Sequence, residues 1–253
     1  ASAGTSNFRA GVNAGNSITS GGNYNTVVGD EAGTAITTGD DNTSVGYKAG
    51  YALTTGTNNV LIGGNAGDAI TTGTDNVALG RASLTSDTLG QSSVAIGHQA
   101  LFSQNFTSAT HAYNVAVGKN AGLALSTGVY NTLIGGLAGD AITTGSNNAS
   151  LGHLSLSANT TGGSNVALGA YALYSNTTAS DNTAVGKNAL FVNTTGADNV
   201  ALGASSLDAN TTGASNTGIG RSALGANTTG ASNTAVGHNA LDANTEGLYN
   251  SAL

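Results

Sequence analysis

One pattern of apolar and polar positions recurs throughout the chain. A glycine returns every 17 residues, apart from a first interval of 18 and one interval of 21, which marks 14 repeats. We number positions from this glycine: position −1 is aliphatic, −3 is usually β-branched, and −4 is Asn in nearly every repeat. The repeat glycines are Gly11, Gly29, Gly46, Gly63, Gly80, Gly97, Gly118, Gly135, Gly152, Gly169, Gly186, Gly203, Gly220 and Gly237.

The pattern before each glycine predicts a short strand followed by a turn, because β-branched and aliphatic positions alternate there. Asn, Thr and Gly at this density disfavour a helix. Repeats this short, stacked in this number, are typical of a solenoid. We therefore predict an all-β parallel β-solenoid in which each repeat is one coil of two short strands. Coils stacked at the inter-strand spacing would make a rod of about 65–70 Å.

Residues 1–253 are predicted to form one solenoid domain, with residues 1–10 as an N-terminal lead-in segment. Two kinds of repeat differ at positions +4 and +7. Six repeats have Gly at +4 and a large aliphatic residue at +7, as in Gly33 with Ile36. Eight have Leu at +4, and six of these have Asn at +7, as in Leu156 with Asn159. The exchange indicates that both positions point inward and that one large side chain fills a shared slot.

Two further columns of the repeat suggest how coils and chains associate. Asn at position −4 predicts a ladder of side-chain amides that donate and accept along the stack. Position −2 alternates with −3 and −1, so we expect it to face away from the core. It carries small or apolar residues, which favours a subunit contact over a plain exposed face. The predicted interface residues are Val27, Leu61, Ala95, Ala116, Leu133, Ala167, Ala184, Ala201 and Ala235.

The composition excludes several classes of function. The chain has no Cys, which rules out disulfides and thiol nucleophiles, and its net charge of −7 argues against general nucleic-acid binding. No apolar run approaches the roughly 20 residues of a membrane span. No His lies with Ser and Asp in a nucleophile motif, and no calcium-binding or phosphate-loop pattern is present. We expect no catalysis, no cofactor and no resident metal.

Three segments carry a resemblance to a known family. They are Asn-Thr-Ala-Val-Gly-Lys-Asn-Ala-Leu (182–190), Ser-Val-Ala-Ile-Gly-His-Gln-Ala (93–100) and Asn-Thr-Ala-Val-Gly-His-Asn-Ala-Leu (233–241). These repeats resemble the head repeats of trimeric autotransporter adhesins of the YadA type, and those of phage and viral tail fibres. The resemblance implies a left-handed parallel β-roll of three chains side by side. It also implies a role in adhesion or as a fibre shaft, outside the cell, on its surface or on a virion.

Basic side chains recur at position +1, directly after the repeat glycine. The column holds three of the four His residues together with Arg81, Lys119, Lys187 and Arg221. Its simplest interpretation is solubilising charge and salt bridges between neighbouring chains. The functional alternative is a weak stripe for anionic glycans or a charged cell surface.

The interval of 21 places an insertion at residues 101–113. It carries Phe102, Phe106, His111 and Tyr113 in a chain with few aromatic residues, and a loop on a rigid scaffold can form a ligand platform. The alternative is a loop that only packs over the junction between coils. Tyr113 and Tyr130 share a column and are predicted to stack, either as surface packing or as a sugar contact.

The leading functional prediction is a non-enzymatic, homo-oligomeric adhesin head or fibre segment that binds a host-surface protein or glycan. A second prediction is end-to-end association into an extracellular filament. A third is ice binding through the Thr-Thr-Gly columns. Adjacent threonines should face opposite ways, which weakens the third prediction.

Overall fold

Parallel coils follow one another along the chain in the computed structural model, which describes residues 4–253. The structure confirms the predicted fold class: it is an all-β parallel solenoid of about 14 turns with a repeat of about 17 residues. The chain divides into two compact units, Ala1–Val129 and Tyr130–Leu253. No helix within residues 4–253 is long and apolar enough to cross a lipid bilayer.

In the first unit, each coil contributes one short strand that pairs in parallel with the same strand of the next coil. Thr26 pairs with Thr43 and Val28 with Val45, so the register advances by one repeat at each step. The strands are β1 (Phe8–Ala10), β2 (Thr26–Val28), β3 (Thr43–Val45), β4 (Val60–Ile62), β5 (Val77–Leu79), β6 (Gly90–Gln91), β7 (Val94–Ile96), β8 (Thr110–His111) and β9 (Val115–Val117). The short β6 and β8 pair with each other, apart from the main sheet.

The second unit has the same construction. Val166 pairs with Thr183 and Leu168 with Val185, again in parallel. Its strands are β10 (Thr132–Ile134), β11 (Ala149–Leu151), β12 (Val166–Leu168), β13 (Thr183–Val185), β14 (Val200–Leu202), β15 (Thr217–Ile219), β16 (Thr234–Val236) and β17 (Ser251–Ala252).

The prediction of two strands per coil is wrong for the described residues. Apart from the β6–β8 pair, each coil has a single strand, and the rest of the coil is turns. Residues at +2, +4 and −5 have left-handed backbones, as at Tyr171 (φ 61°), Leu173 (φ 51°) and Asp181 (φ 61°). An extended strand cannot pass through such closely spaced left-handed residues, so the chain bends sharply there.

Burial on the strands is also opposite to the prediction. From β2 to β16, position −2 is the buried residue of each main strand, while −3 and −1 face outward; in β1 all three residues are exposed. The predicted interface is therefore wrong, since Val27, Leu61, Ala95, Ala116, Leu133, Ala167, Ala184, Ala201 and Ala235 are all 0% exposed inside the chain's own core. Side chains alternate along a three-residue strand, so only the middle residue enters the coil and its two neighbours lie outside.

Positions +4 and +7 both point inward, as the exchange between the two kinds of repeat predicted. Ile36, Ile70, Leu156 and Leu190 are all fully buried. A Cβ placed on Gly67 would lie 2.7 Å from Leu61 Cδ2 and 2.9 Å from Ile70 Cδ1, so the slot is already full. The compensation includes position −2, which is Ala, Ser or Gly wherever +4 is Leu.

The predicted Asn ladder is present. Asn199 donates from its backbone N (3.0 Å) and its Nδ2 (3.2 Å) to Asn182 Oδ1, and from Nδ2 to the Gly213 carbonyl (2.8 Å). A second ladder occupies position +7 of the second unit, where Asn193 Nδ2 donates to Asn176 Oδ1 (3.0 Å). These bonds satisfy buried amides that would otherwise be costly to desolvate.

Candidate interaction surfaces

The outward strand positions −3 and −1 form what we call the aliphatic stripe of each unit. Position −1 exposes large side chains, with Leu79 at 41% in the first unit and Leu151 at 52% and Leu202 at 44% in the second. At the usual strand spacing, β10–β16 carry a stripe roughly 30 Å long and 7 Å wide. Its −1 members there are Ile134, Leu151, Leu168, Val185, Leu202, Ile219 and Val236.

The aliphatic stripe contains no charged residue from β2 to β9 in the first unit, or from β10 to β16 in the second. Position −3 adds only Thr, Val and Ala to the aliphatic −1 column. Single exposed aliphatic residues are ordinary on protein surfaces, whereas a contiguous row of them is a candidate interaction surface.

The basic residues at position +1 lie on the turn that follows each strand. Arg81, Lys119, Lys187 and Arg221 are all exposed, the first two in the first unit and the others in the second. Within residues 4–253 the one ion pair joins Lys48 Nζ to Glu31 Oε2 at 3.3 Å, so these four form no salt bridge in the described chain. Arg81 instead donates from Nη1 to His98 Nε2 at 3.2 Å.

The insertion projects less far than its length suggests. Coil hydrogen bonds continue through Asn105, whose N donates to the Ser126 carbonyl at 3.0 Å, and pairing resumes at β8. Phe102 is half-buried, whereas His111 and Tyr113 are exposed and stack with ring centroids 5.6 Å apart. Phe106 is only 6% exposed, so the prediction that it contacts a ligand is wrong.

A buried polar network anchors the insertion. Position −4 is Ser93 here, and Gln104 supplies the missing amide: its Nε2 donates to Ser93 Oγ (3.0 Å) and its Oε1 accepts from Asn114 Nδ2 (2.9 Å). Gln104 Nε2 also donates to Asp87 Oδ2 at 2.6 Å. Asp87 Oδ1 accepts from the backbone N of Gly90 (2.9 Å) and of Phe106 (3.4 Å). Burial raises the pKa of the Asp87 carboxyl, although these donors act to lower it.

Sequence reasoning missed an aromatic cluster in the second unit, formed by Tyr171, Tyr174, Phe191 and His153. The rings of Tyr174 and Phe191 stack at 5.3 Å with an interplanar angle of 11°. Tyr171 meets both rings edge-on, at 5.9 and 6.3 Å, and His153 lies 5.7 Å from Tyr171. The signal was available, since two aromatics three residues apart are followed one repeat later by a third.

Tyr130 lies at position −5 relative to Gly135, in the second unit, and is 54% exposed. Its predicted stacking on Tyr113 joins residues of different units and stays a prediction.

The paired threonines face different environments, as predicted. Thr177 is half-buried and donates from Oγ1 to the Thr194 carbonyl at 3.0 Å, while Thr178 is exposed. The turn therefore exposes one threonine column rather than two.

The described residues offer surfaces rather than enclosed sites. Residues 4–253 contain no pocket, and no group of three His, Asp or Glu side chains among them could hold a metal ion. No protein-family model matches the chain, and no curated protein matches its sequence.

Proposed function

We propose that the chain is a non-enzymatic structural and adhesive module of an extracellular fibre, in which copies associate side by side through the aliphatic stripe. The observation that carries this proposal is the exposure of Leu79, Leu151, Leu168 and Leu202 on an uncharged strand face. Cell-surface or virion location and binding of a host protein or glycan belong to the same proposal, as does the trimer favoured by the YadA-type resemblance.

The coil itself gains little from large residues at position −1. Its core is already filled by positions −2, +4 and +7, and the strand backbone is bonded between coils. A polar residue at position −1 would suit an exposed strand face equally well. Every main strand from β2 to β16 nevertheless has an aliphatic residue at this position. These Leu side chains are already about half-buried, so covering the rest of one against a partner would contribute roughly 0.7–1.5 kcal/mol, and the gain recurs at each coil.

Substitutions on two coils test this association. The double variant Leu168→Lys with Leu202→Lys places two positive charges on the stripe. Association would bury these charges without a partner of opposite charge, which is energetically costly. We expect the wild-type chain to sediment at equilibrium with the mass of an oligomer, three chains being favoured, and the variant to sediment as a monomer with an unchanged circular dichroism spectrum.

The matched control is Thr178→Lys with Thr212→Lys, which adds the same charges to the same two coils at position +9, on the exposed threonine column. This control should keep the wild-type mass. A folded wild-type chain that is monomeric at about 100 µM, a concentration well above the Kd of a stable oligomer, would contradict the proposal. So would equal masses for the two double variants.

A further inference from the structure

The aromatic cluster is surplus to the packing of the solenoid. The cores of its coils are filled by Leu173 and Leu190, which are fully buried, with Ala172 and Ala189 beside them. The rings of Tyr171, Tyr174 and Phe191 lie outside this core and are each half-buried. Three of the chain's 12 Phe and Tyr residues (8 Tyr and 4 Phe) thus gather on two adjacent coils, where they leave apolar ring surface open to solvent.

The backbone fixes the relative positions of these rings. Ser175 N donates to the Phe191 carbonyl at 3.0 Å, which holds the +5 positions of neighbouring coils one strand spacing apart. Tyr171 N donates to the His153 carbonyl at 3.1 Å and ties the edge of the cluster to the preceding coil. The rings are therefore presented by a rigid scaffold, so a ligand would not have to order them.

Polar residues occupy the repeat positions next to those of the rings. Asp208 occupies position +5 on the coil after Phe191, and Val192 N donates to its carbonyl at 3.2 Å. Burial raises the pKa of the Asp208 carboxyl, so this group, at the +5 position next to that of Phe191, is partly desolvated. Asn188 occupies position +2 on the coil after Tyr171, where its backbone N donates to the Ala170 carbonyl at 3.1 Å. Its side-chain amide is not engaged in a hydrogen bond with residues 4–253.

Ring surface beside a carboxyl and an amide suits a ligand with one apolar face and a rim of hydroxyl groups, and a pyranose sugar has this form. The tyrosine hydroxyls and Asn188 can donate and accept, and Asp208 can accept, which matches the hydroxyl rim. The partly desolvated Asp208 would repel an anionic group, so an uncharged sugar fits better than a sialylated or sulfated one.

We propose that Tyr171, Tyr174 and Phe191, with Asn188 and Asp208, form a binding site for neutral pyranose units of a surface glycan. The inference rests on the proposed adhesive role. It names the class of ligand, whereas assembly through the aliphatic stripe would stand without it. A single shallow site binds weakly, and side-by-side copies would raise the avidity of a fibre for a glycan-covered surface.

The test is saturation-transfer NMR on the full chain with four uncharged oligosaccharides: cellotetraose, mannotetraose, chitotetraose and N-acetyllactosamine. Sialyllactose and a sulfated heparin tetrasaccharide form the anionic arm. At least one neutral sugar should receive saturation through its ring C–H protons, and titration of that sugar should shift the Tyr and Phe ring resonances. The variant Tyr174→Leu with Phe191→Leu keeps much of the apolar volume and should weaken binding about tenfold, since it removes two ring contacts.

The matched control is Tyr249→Ala, which removes an 80% exposed tyrosine from the same unit, away from the cluster, and should leave binding unchanged. If the double variant fails to fold, two other measurements replace it. Asn188→Ala should weaken binding of the neutral sugar, and that sugar should still shift the Tyr and Phe ring resonances of the wild-type chain.

Three results would overturn the inference. The first is no transfer to any neutral sugar at millimolar concentration, and the second is equal binding by wild type and the cluster variants. The third is a cluster variant with an altered oligomeric mass, which would make the rings part of a chain–chain contact. A wild-type chain that forms the oligomer but binds no neutral sugar would sink this inference alone, whereas a monomeric wild type that binds sugar would sink only the proposed assembly.

Discussion

Asp87 is the one carboxyl among residues 4–253 that is fully buried. It accepts hydrogen bonds from Gln104 and from the backbone at Gly90 and Phe106, and so joins the start of the insertion to the coil before it. Desolvation opposes its negative charge more strongly than these donors favour it, so its pKa lies above the ordinary 3.8. The folded state therefore binds this proton more tightly than the unfolded state does.

A pH dependence of stability follows from this residue. Asp87 contributes stability that is fully present below its unfolded pKa of about 3.8 and is lost as the pH rises through its raised folded pKa. In Asp87→Asn the side chain stays neutral at every pH. The free energy of unfolding of the wild type should therefore increase relative to that of Asp87→Asn as the pH falls through this window.

Denaturant titrations of both proteins at a series of pH values measure the difference directly. Asp30→Asn, which removes a carboxyl at an exposed site on the turn after β2, is the matched control and should show no such trend. A difference between wild type and Asp87→Asn that stays constant with pH would show that Asp87 does not titrate in this way.

At the scale of the coil, three positions share one interior volume. A large residue at +7 accompanies Gly at +4, with a large residue at −2 as well in coils such as that of Leu61, Ile70 and Gly67, while Leu at +4 accompanies only small residues at −2. Leu at +4 reaches the slot from a left-handed backbone, at φ 55° for Leu156. That conformation costs a residue with a side chain roughly 1–2 kcal/mol, and complete burial of the Leu side chain offsets it.

The shared volume can be tested by converting one coil type into the other. The coil with Leu156 at +4 and Asn159 at +7 is suitable, because it directly follows a coil with Gly139 and Ile142 at those positions. Leu156→Gly should lower the free energy of unfolding by about 2–4 kcal/mol, because it empties a fully buried slot. Leu156→Gly with Asn159→Ile should recover more than half of that loss.

Asn159→Ile removes only one acceptor from the next rung of the amide ladder. Asn176 Nδ2 would lose its hydrogen bond to Asn159 Oδ1 but keep the one to the Ala179 carbonyl. Urea unfolding of the three proteins gives the comparison. A double variant less stable than Leu156→Gly alone would show that the positions do not fill one slot.

The repeat made the coil, its amide ladder and the +4/+7 exchange predictable, because each is a regularity over many copies. The face of the strand was not predictable in the same way. A three-residue strand allows two phases, and the larger residues at −3 and −1 pointed to the wrong one. Which phase is buried depends on how much of the interior Leu190 and its equivalents already occupy, and that volume is a property of the folded coil.

At the scale of the whole molecule, the candidate surfaces are products of stacking. One exposed Leu202 has no consequence, but its repetition at position −1 produces the aliphatic stripe of each unit. The cluster around Phe191 likewise exists only because residues one repeat apart become neighbours. The cluster was not predicted, because Tyr171 and Tyr174 lie at positions +2 and +5. The aromatic residues considered in the sequence analysis lie in the insertion and at position −5.

In the proposed assembly, copies of the chain pack together through their aliphatic stripes. A cryo-EM cross-section of the assembled wild-type protein tests it most directly, because it counts the chains and shows which face of each coil is covered. We predict several chains, three being favoured, with the strands that carry Leu151, Leu168 and Leu202 facing a shared centre. A single chain with those strand faces open to solvent would contradict the account.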